Sequence, residues 1–378
     1  MIKIGILNQG SKFNWGHNFG YWYFILFFKE ELIKSGYQIT FYNEINKVFL
    51  RSDLIFINSR FFTDSIFNRI KKKINLHSNN NLVEKVKAIH EKNNNIVWFD
   101  LSDSAGNTQF EILPYVKKYV KKQVYKDREM YKKIFFRNRY YSDYYHKKFN
   151  VENFFEPYYC TLKDEYIEKL VLGWNIGVGN YFNILDHNSY LKYKCIFEAA
   201  FKSNHKELFR YTLNYHNNEN KSENLFYSFN LRSTNSKQAV HFQRNNVHKI
   251  LSDNYPKTNK GRLSHKNFLL NLMNSKISVG SFGWGEICYR EYEATKMGAA
   301  IIFPNIDYIE TWPNIFKDGE TFMSYNLDLS NLLDVVEKVL SDDNLRSSLV
   351  YNAQDVCQNV YKEDGLNYLL NFFEKIKN

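Results

Sequence analysis

An α/β fold of two Rossmann-like units facing across a cleft is what this sequence predicts, and three observations carry the expectation. Short apolar runs alternate with helical stretches over the first hundred residues. A second alternation of the same kind begins at Leu225. A glycine-rich turn joins strand to helix within that second series. The chain has 378 residues, 44% of them hydrophobic, too many for one ordinary core and enough for two.

The first series opens with Ile2 to Leu7, a short apolar run suited to a buried parallel strand. A loop follows from Asn8 to Asn18. Phe19 to Lys34 reads as a helix stopped by Gly36. Gln38 to Tyr42 and Leu54 to Asn58 read as strands, Leu82 to Glu91 as a helix and Ile96 to Phe99 as a further strand. Tyr115 to Lys148, dense in Lys, Arg and Tyr, reads as one or two amphipathic helices with a strand near Ile134 to Arg137. Phe155 to Glu223 shows no clear period.

The second series runs from a strand at Leu225 to Leu231 through a helix at Arg244 to Leu251. Ser264 is placed to cap a helix from His265 to Asn274. Ile277 to Val279, Ala300 to Phe303 and Thr321 to Tyr325 read as strands, and Ile287 to Met297, Ser330 to Leu340 and Asn344 to Cys357 as helices. The expected division is a first unit over 1–155, a connecting region over 156–223, a second unit over 224–360 and a C-terminal helix over 361–378 that packs back on the first unit.

Composition narrows the function classes. No apolar stretch approaches the roughly 18 residues of a membrane span, and MIKIGILNQG reads as a first strand rather than a secretion signal, so a cytoplasmic location is expected. Four scattered cysteines form no CxxC pair and point to free thiols. The net charge of +11 suits an anionic partner: a phosphorylated substrate, a nucleic acid or an anionic membrane. The basic stretch Lys117 to Lys148 is either a solvated face or a peripheral contact with such a membrane.

The chemistry concentrates between Ser278 and Pro304. Gly283, Trp284 and Gly285 form a tight turn after a strand. A helix starting near Glu286 would offer its free N–H groups to a phosphate and carry Glu286, Arg290 and Glu293 on one face, at i, i+4 and i+7. Those side chains suit ribose hydroxyls and a diphosphate. They equally suit a surface ion pair worth roughly a few tenths of a kcal/mol. Arg232, Lys237 and Arg244 are further cations at the start of the second series. On the acceptor side, His17 follows the first strand, and Asp100 and Asp103 follow the strand ending at Phe99; each is either a residue that binds the acceptor or acts as its general base, or a capping residue.

The stretch resembles the donor-binding region of GT-B glycosyltransferases, especially bacterial surface-polysaccharide and exostosin-like transferases. The matching residues are Phe282 to Glu286, Arg290, Glu293, Ala294, Gly298 and Pro304, followed by Thr311-Trp312-Pro313. The resemblance spans about Gly261 to Gln354, while the N-terminal half shares only its strand–helix alternation. It implies sugar transfer from a nucleotide-sugar donor to a surface glycan or lipid-linked glycan acceptor, with Glu293 on the donor ribose and Glu286 near the sugar or its phosphates. Many retaining members have seven residues between two such glutamates, and here there are six. No Asp-x-Asp motif occurs, so a metal-independent site with no cofactor besides the donor is expected. A nucleic-acid-binding protein and an inactive GT-B scaffold are the competing readings.

Overall fold

A computed structural model of the chain describes residues 1–8, 20–62, 80–151, 160–179, 186, 188–191, 193–194, 215–217, 220–231, 238–256 and 261–378. The first unit is a six-stranded parallel sheet of β1 (Ile2–Leu7), β2 (Tyr37–Tyr42), β3 (Leu54–Asn58), β4 (Ile96–Asp100), β5 (Lys118–Lys121) and β7 (Leu170–Leu172), in the order β2-β1-β3-β4-β5-β7. β3 and β4 are apolar nearly throughout and buried at every position, as strands covered on both faces must be. The chain crosses from one side of β1 to the other between β2 and β3, which opens a crevice at the carboxyl ends of the strands.

The aromatic run after Gly20 forms α1 (Tyr23–Phe27), buried on every side, and then α2 (Lys29–Lys34), whose Lys29, Glu30 and Lys34 face water. The single expected helix is thus two, joined at Phe28, because an all-apolar segment sinks into the core while a charged one must turn out of it. Gly36 ends the pair at φ +92°, a left-handed value. The helix α3 (Asn80–His90) precedes β4.

The stretch 115–148 departs from its expected form. It holds β5, then β6 (Gln123–Tyr125), then short 3-10 turns and one helix, α4 (Tyr140–Phe149). No strand forms at 134–137, where Arg137 sits at φ +55° and is followed by Asn138 at φ +52°. Lys121 and Lys122 are buried, and Lys126, Arg128, Lys132 and Lys148 pair with Asp307, Glu310, Asp164 and Asp328, so these cations do not make up one open basic face. The first unit also passes the expected boundary at 155. β7 completes its sheet and Trp174 stacks on Tyr21 at 5.0 Å.

The second unit is a four-stranded parallel sheet, order β12-β10-β9-β8, of β8 (Glu223–Phe226), β9 (Ser275–Val279), β10 (Ala300–Pro304) and β12 (Met323–Tyr325). Around it lie α5 (Ala239–Asn254), α6 (His265–Asn274), α7 (Tyr289–Lys296), α8 (Leu332–Ser341) and α9 (Asp343–Asn359). Ser264 caps α6 through the Asn267 N–H. β8 stops at Phe226, short of Leu231.

Two devices join the units. β6 pairs antiparallel with β11 (Ile309–Thr311), one strand from each unit. The last helix, α10 (Glu363–Lys377), returns to the first sheet. Its Phe373 meets Tyr37 at 4.8 Å and its Phe372 meets Phe99 at 6.1 Å, while Tyr368 stacks on Trp312 at 3.7 Å. No described helix is long and apolar enough to cross a membrane.

Asp100, an expected candidate base, lies wholly inside the first unit. It accepts from Lys121 Nζ at 2.8 Å, Tyr119 Oη at 2.6 Å and the Ser102 N–H at 2.8 Å. Burial opposes its ionisation, but Lys121 and these hydrogen bonds outweigh that and hold it below the usual carboxylate range. Its oxygens are spent on the fold, so it is not free to take a substrate proton. Asp100→Ala strands a buried ammonium and is expected to cost about 3–5 kcal/mol, read as a lower urea midpoint at unchanged slope.

Candidate active site

The strand ends of the two sheets open on one cleft with a cavity of about 700 Å³, the size of an ordinary small-molecule site. The first unit contributes Arg60 after β3, Asp103 after β4 and Lys122 after β5. The second contributes Arg244 from α5, Arg262 and His265 around the start of α6, the turn at Gly283–Gly285, and Arg290 and Glu293 from α7. Basic groups outnumber acidic ones along this wall.

The glycine turn lies directly on the first unit. A Cβ at Gly285 would fall 1.8 Å from the Asp103 carbonyl oxygen, so only glycine fits there. A Cβ at Gly283 would fall 2.7 Å from Cys288 Sγ, and the Gly283 carbonyl accepts from Tyr141 Oη at 3.1 Å. Trp284, between the two, is turned outward and 49% exposed. Its ring meets the Arg139 guanidinium at 5.7 Å.

Glu286 is not where its spacing suggested. α7 begins at Tyr289 with Cys288 as N-cap, so Glu286 precedes the helix and only Arg290 and Glu293 share its face. The Glu286 carboxylate is wholly buried and accepts from Ser104 Oγ at 2.9 Å, the Ala105 N–H at 3.1 Å and Gln123 Nε2 at 2.9 Å. Burial raises its pKa, while the bonds from the Ala105 N–H and Ser104 oppose the rise. It fastens one unit to the other and does not line the cavity. The expected free helix terminus is also internally capped: Glu291 accepts the Cys288 N–H at 3.2 Å, and Cys288 Sγ accepts the N–H of Glu291 in return.

Positive charge therefore comes from guanidinium groups. Arg290 donates to the Ser281 carbonyl at 2.5 Å and lies 3.6 Å from Glu291. Arg244 donates to the Phe282 carbonyl at 3.1 Å, and among the described residues its buried Nε has no hydrogen-bond partner. Burial, and then the like charge of Arg290, lower the Arg244 pKa to about 10. Two guanidinium groups held together at a cavity wall, with Arg244 lacking a carboxylate among the described residues, form a site for an anion.

Asp103 sits across the cleft with its side chain 52% exposed, 3.5 Å from Lys122 Nζ and 3.7 Å from Arg60. Burial lowers the pKa of Lys122, against the attraction of Asp103. Neither cation was singled out for this role from the sequence. A strand assignment at 118–121 would have put Lys122 at a strand's carboxyl end.

His265 was legible only as a helix start. Its Nδ1 lies 2.8 Å from Asp186 Oδ2 and its Nε2 lies 2.8 Å from Glu293 Oε1. The bond to Glu293 raises its pKa against the effect of burial, Asp186 adds to the rise, and the result is about 9. His17, Arg232 and Lys237 lie outside the described residues. Among the described residues no group of three or more His, Cys, Asp or Glu is arranged to hold a metal ion.

No family model matches the sequence, and no curated protein matches it. Solved structures do resemble it at low identity. The phage T4 BGT in complex with its UDP-glucose substrate is 12% identical over 99% of both chains, with a TM-score of 0.45. Sucrose-phosphate synthase from Thermosynechococcus elongatus is 9% identical over 99% of this chain and 98% of its own, with a TM-score of 0.44. HepE from Anabaena, in complex with UDP-glucose, is 10% identical over 99% of both chains, with a TM-score of 0.44.

The His265 bridge has a defined pH signature. A pKa raised on folding contributes stability that is complete below the unfolded value, ordinarily about 6.5, and is lost as pH rises through about 9. Thermal melts of the native chain and His265→Asn should differ most at pH 6 and converge above pH 9. A gap constant with pH would mean that the imidazolium is not bridged.

Proposed function

We propose that this chain is a glycosyltransferase that takes a sugar from a nucleotide-sugar donor held by the second unit and passes it to a hydroxyl acceptor held by the first. The observation that carries the reading is the placement of Arg244 and Arg290 side by side at the wall of an interdomain cavity, with the Arg244 Nε buried and without a hydrogen-bond partner among the described residues. Such a pair is costly without an anion and suits the diphosphate of a nucleotide sugar. The donor-site resemblance of Phe282 to Pro304 supports the same assignment, with Glu293 on the ribose.

In this reading Asp103 is the general base. It accepts the proton of the acceptor hydroxyl as that oxygen attacks the anomeric carbon, and Arg60 and Lys122 keep its carboxylate in place. The bond from the anomeric carbon to the diphosphate oxygen breaks, and the charge left on the diphosphate is met by Arg244 and Arg290. Trp284 at the rim, with Arg139 against its ring, supplies an aromatic face on which an acceptor sugar can stack. A growing surface glycan on the cytoplasmic side is the acceptor we assign. Glu286 has no step in this scheme, because its oxygens are taken by Ser104, Ala105 and Gln123.

Two measurements test the scheme. In thermal-shift assays against UDP, GDP, CMP and TDP, one nucleotide should raise the melting temperature. Arg244→Ala should weaken its binding roughly 10- to 100-fold, as expected for loss of a charged hydrogen bond; no response to any of the four would end the proposal. With the matching nucleotide sugar, Asp103→Asn should slow nucleotide release by about 10²- to 10⁴-fold while leaving donor affinity unchanged. Equal loss of affinity and rate would remove Asp103 from the role of base.

A further inference from the structure

Three charged side chains from distant parts of the chain meet at the donor side of the cleft. They are Asp186 from the connecting region, His265 from the first position of α6 and Glu293 from α7. Both ring nitrogens of His265 lie 2.8 Å from carboxylate oxygens, so both carry hydrogen and both donate. Neither nitrogen keeps a lone pair to take a proton from a substrate. The ring is held from other directions as well: Ser264 fixes the backbone before it through the Asn267 N–H, and Phe268 lies nearly parallel to it at 6.5 Å. A histidine so held acts on its neighbours.

The neighbour that faces the cavity is Glu293. Its Oε1 is taken by His265, and among the described residues its other oxygen has no hydrogen-bond partner. Glu293 follows Arg290 by one helical turn on the same face of α7. A diphosphate on Arg290 therefore places the sugar of its own nucleoside within about 5.4 Å along the helix. An ionised carboxylate only accepts hydrogen bonds, and the donors a nucleoside sugar offers are its hydroxyls.

We infer that His265, backed by Asp186, is a positioning residue that makes the site demand a ribonucleotide, by clamping Glu293 so that its remaining oxygen is fixed toward the ribose hydroxyls. This rests on the donor site proposed above. A flexible Glu293 would contact ribose only after being ordered by it and would discriminate poorly. A clamped one presents a fixed acceptor that a 2′-deoxyribose leaves unpaired.

Calorimetric titration with UDP and 2′-deoxy-UDP, and with GDP and 2′-deoxy-GDP, tests the inference on the full chain. The native protein should bind the ribose form about 10- to 100-fold more tightly, the range of a hydrogen bond to a charged group. In His265→Ala the ratio should fall to roughly threefold or less, through weaker binding of the ribose form, with the deoxy form little changed. Glu293→Gln should also lower the ratio. Equal weakening of both forms in His265→Ala, or an unaltered ratio, overturns the clamp. Should His265→Ala fail to fold, His265→Phe keeps a ring beside Phe268 and loses both N–H donors; a ratio below native supports the inference and a native ratio overturns it. A native protein that binds both forms equally refutes the inference alone. One that binds no nucleoside diphosphate refutes the donor site itself.

Discussion

The width of the cleft is set by how the two sheets are fastened together, and one buried carboxylate sits at the centre of that fastening. Glu286 receives three hydrogen bonds from the first unit, beside a glycine turn that touches the Asp103 backbone. An uncompensated buried carboxylate would cost several kcal/mol, so the two loops are bound to meet in one register. The β6–β11 ribbon repeats the constraint on the other side of Gln123, which belongs to both devices. The loop carrying Asp103 and the turn leading to Arg290 thus come from different units yet are fixed relative to each other.

This fixing lets like charges accumulate. Arg60, Lys122, Arg244 and Arg290 share the wall of one cavity. Each is kept by its own scaffold: Arg60 and Lys122 by Asp103, Arg290 by Ser281 and Glu291, Arg244 by the Phe282 carbonyl. The field in the cleft is a property of the folded chain rather than of its overall charge, since many surface cations of residues 117–148 are already paired with acids.

Much of this architecture was legible in the sequence, because apolar runs, the Ser264 cap and the Gly36 stop are local signals. The strand at 118–121 was not. Lysine doublets at 117–118 and 121–122 disguise its alternation, and only the buried Asp100 explains a lysine pointing inward. Glu286 was misplaced by counting helical spacing from a helix that starts three residues later. Arg290 and Glu293 keep their spacing because both lie within α7. The Asp186–His265–Glu293 bridge left no signal at all: its members lie in an aperiodic region and on two separate helices, and only the tertiary fold brings them together.

The return of α10 to the first sheet makes the second unit an insertion within the first. Phe372, Phe373 and Ile376 fill a core most of whose other members lie between Ile4 and Val178. That core cannot close until a helix beyond the whole second unit arrives, whereas the second sheet is built from one continuous segment. Contacts between such distant residues form late. The half of the cleft walled by the first sheet therefore depends on contacts of far greater sequence separation than the half that faces it.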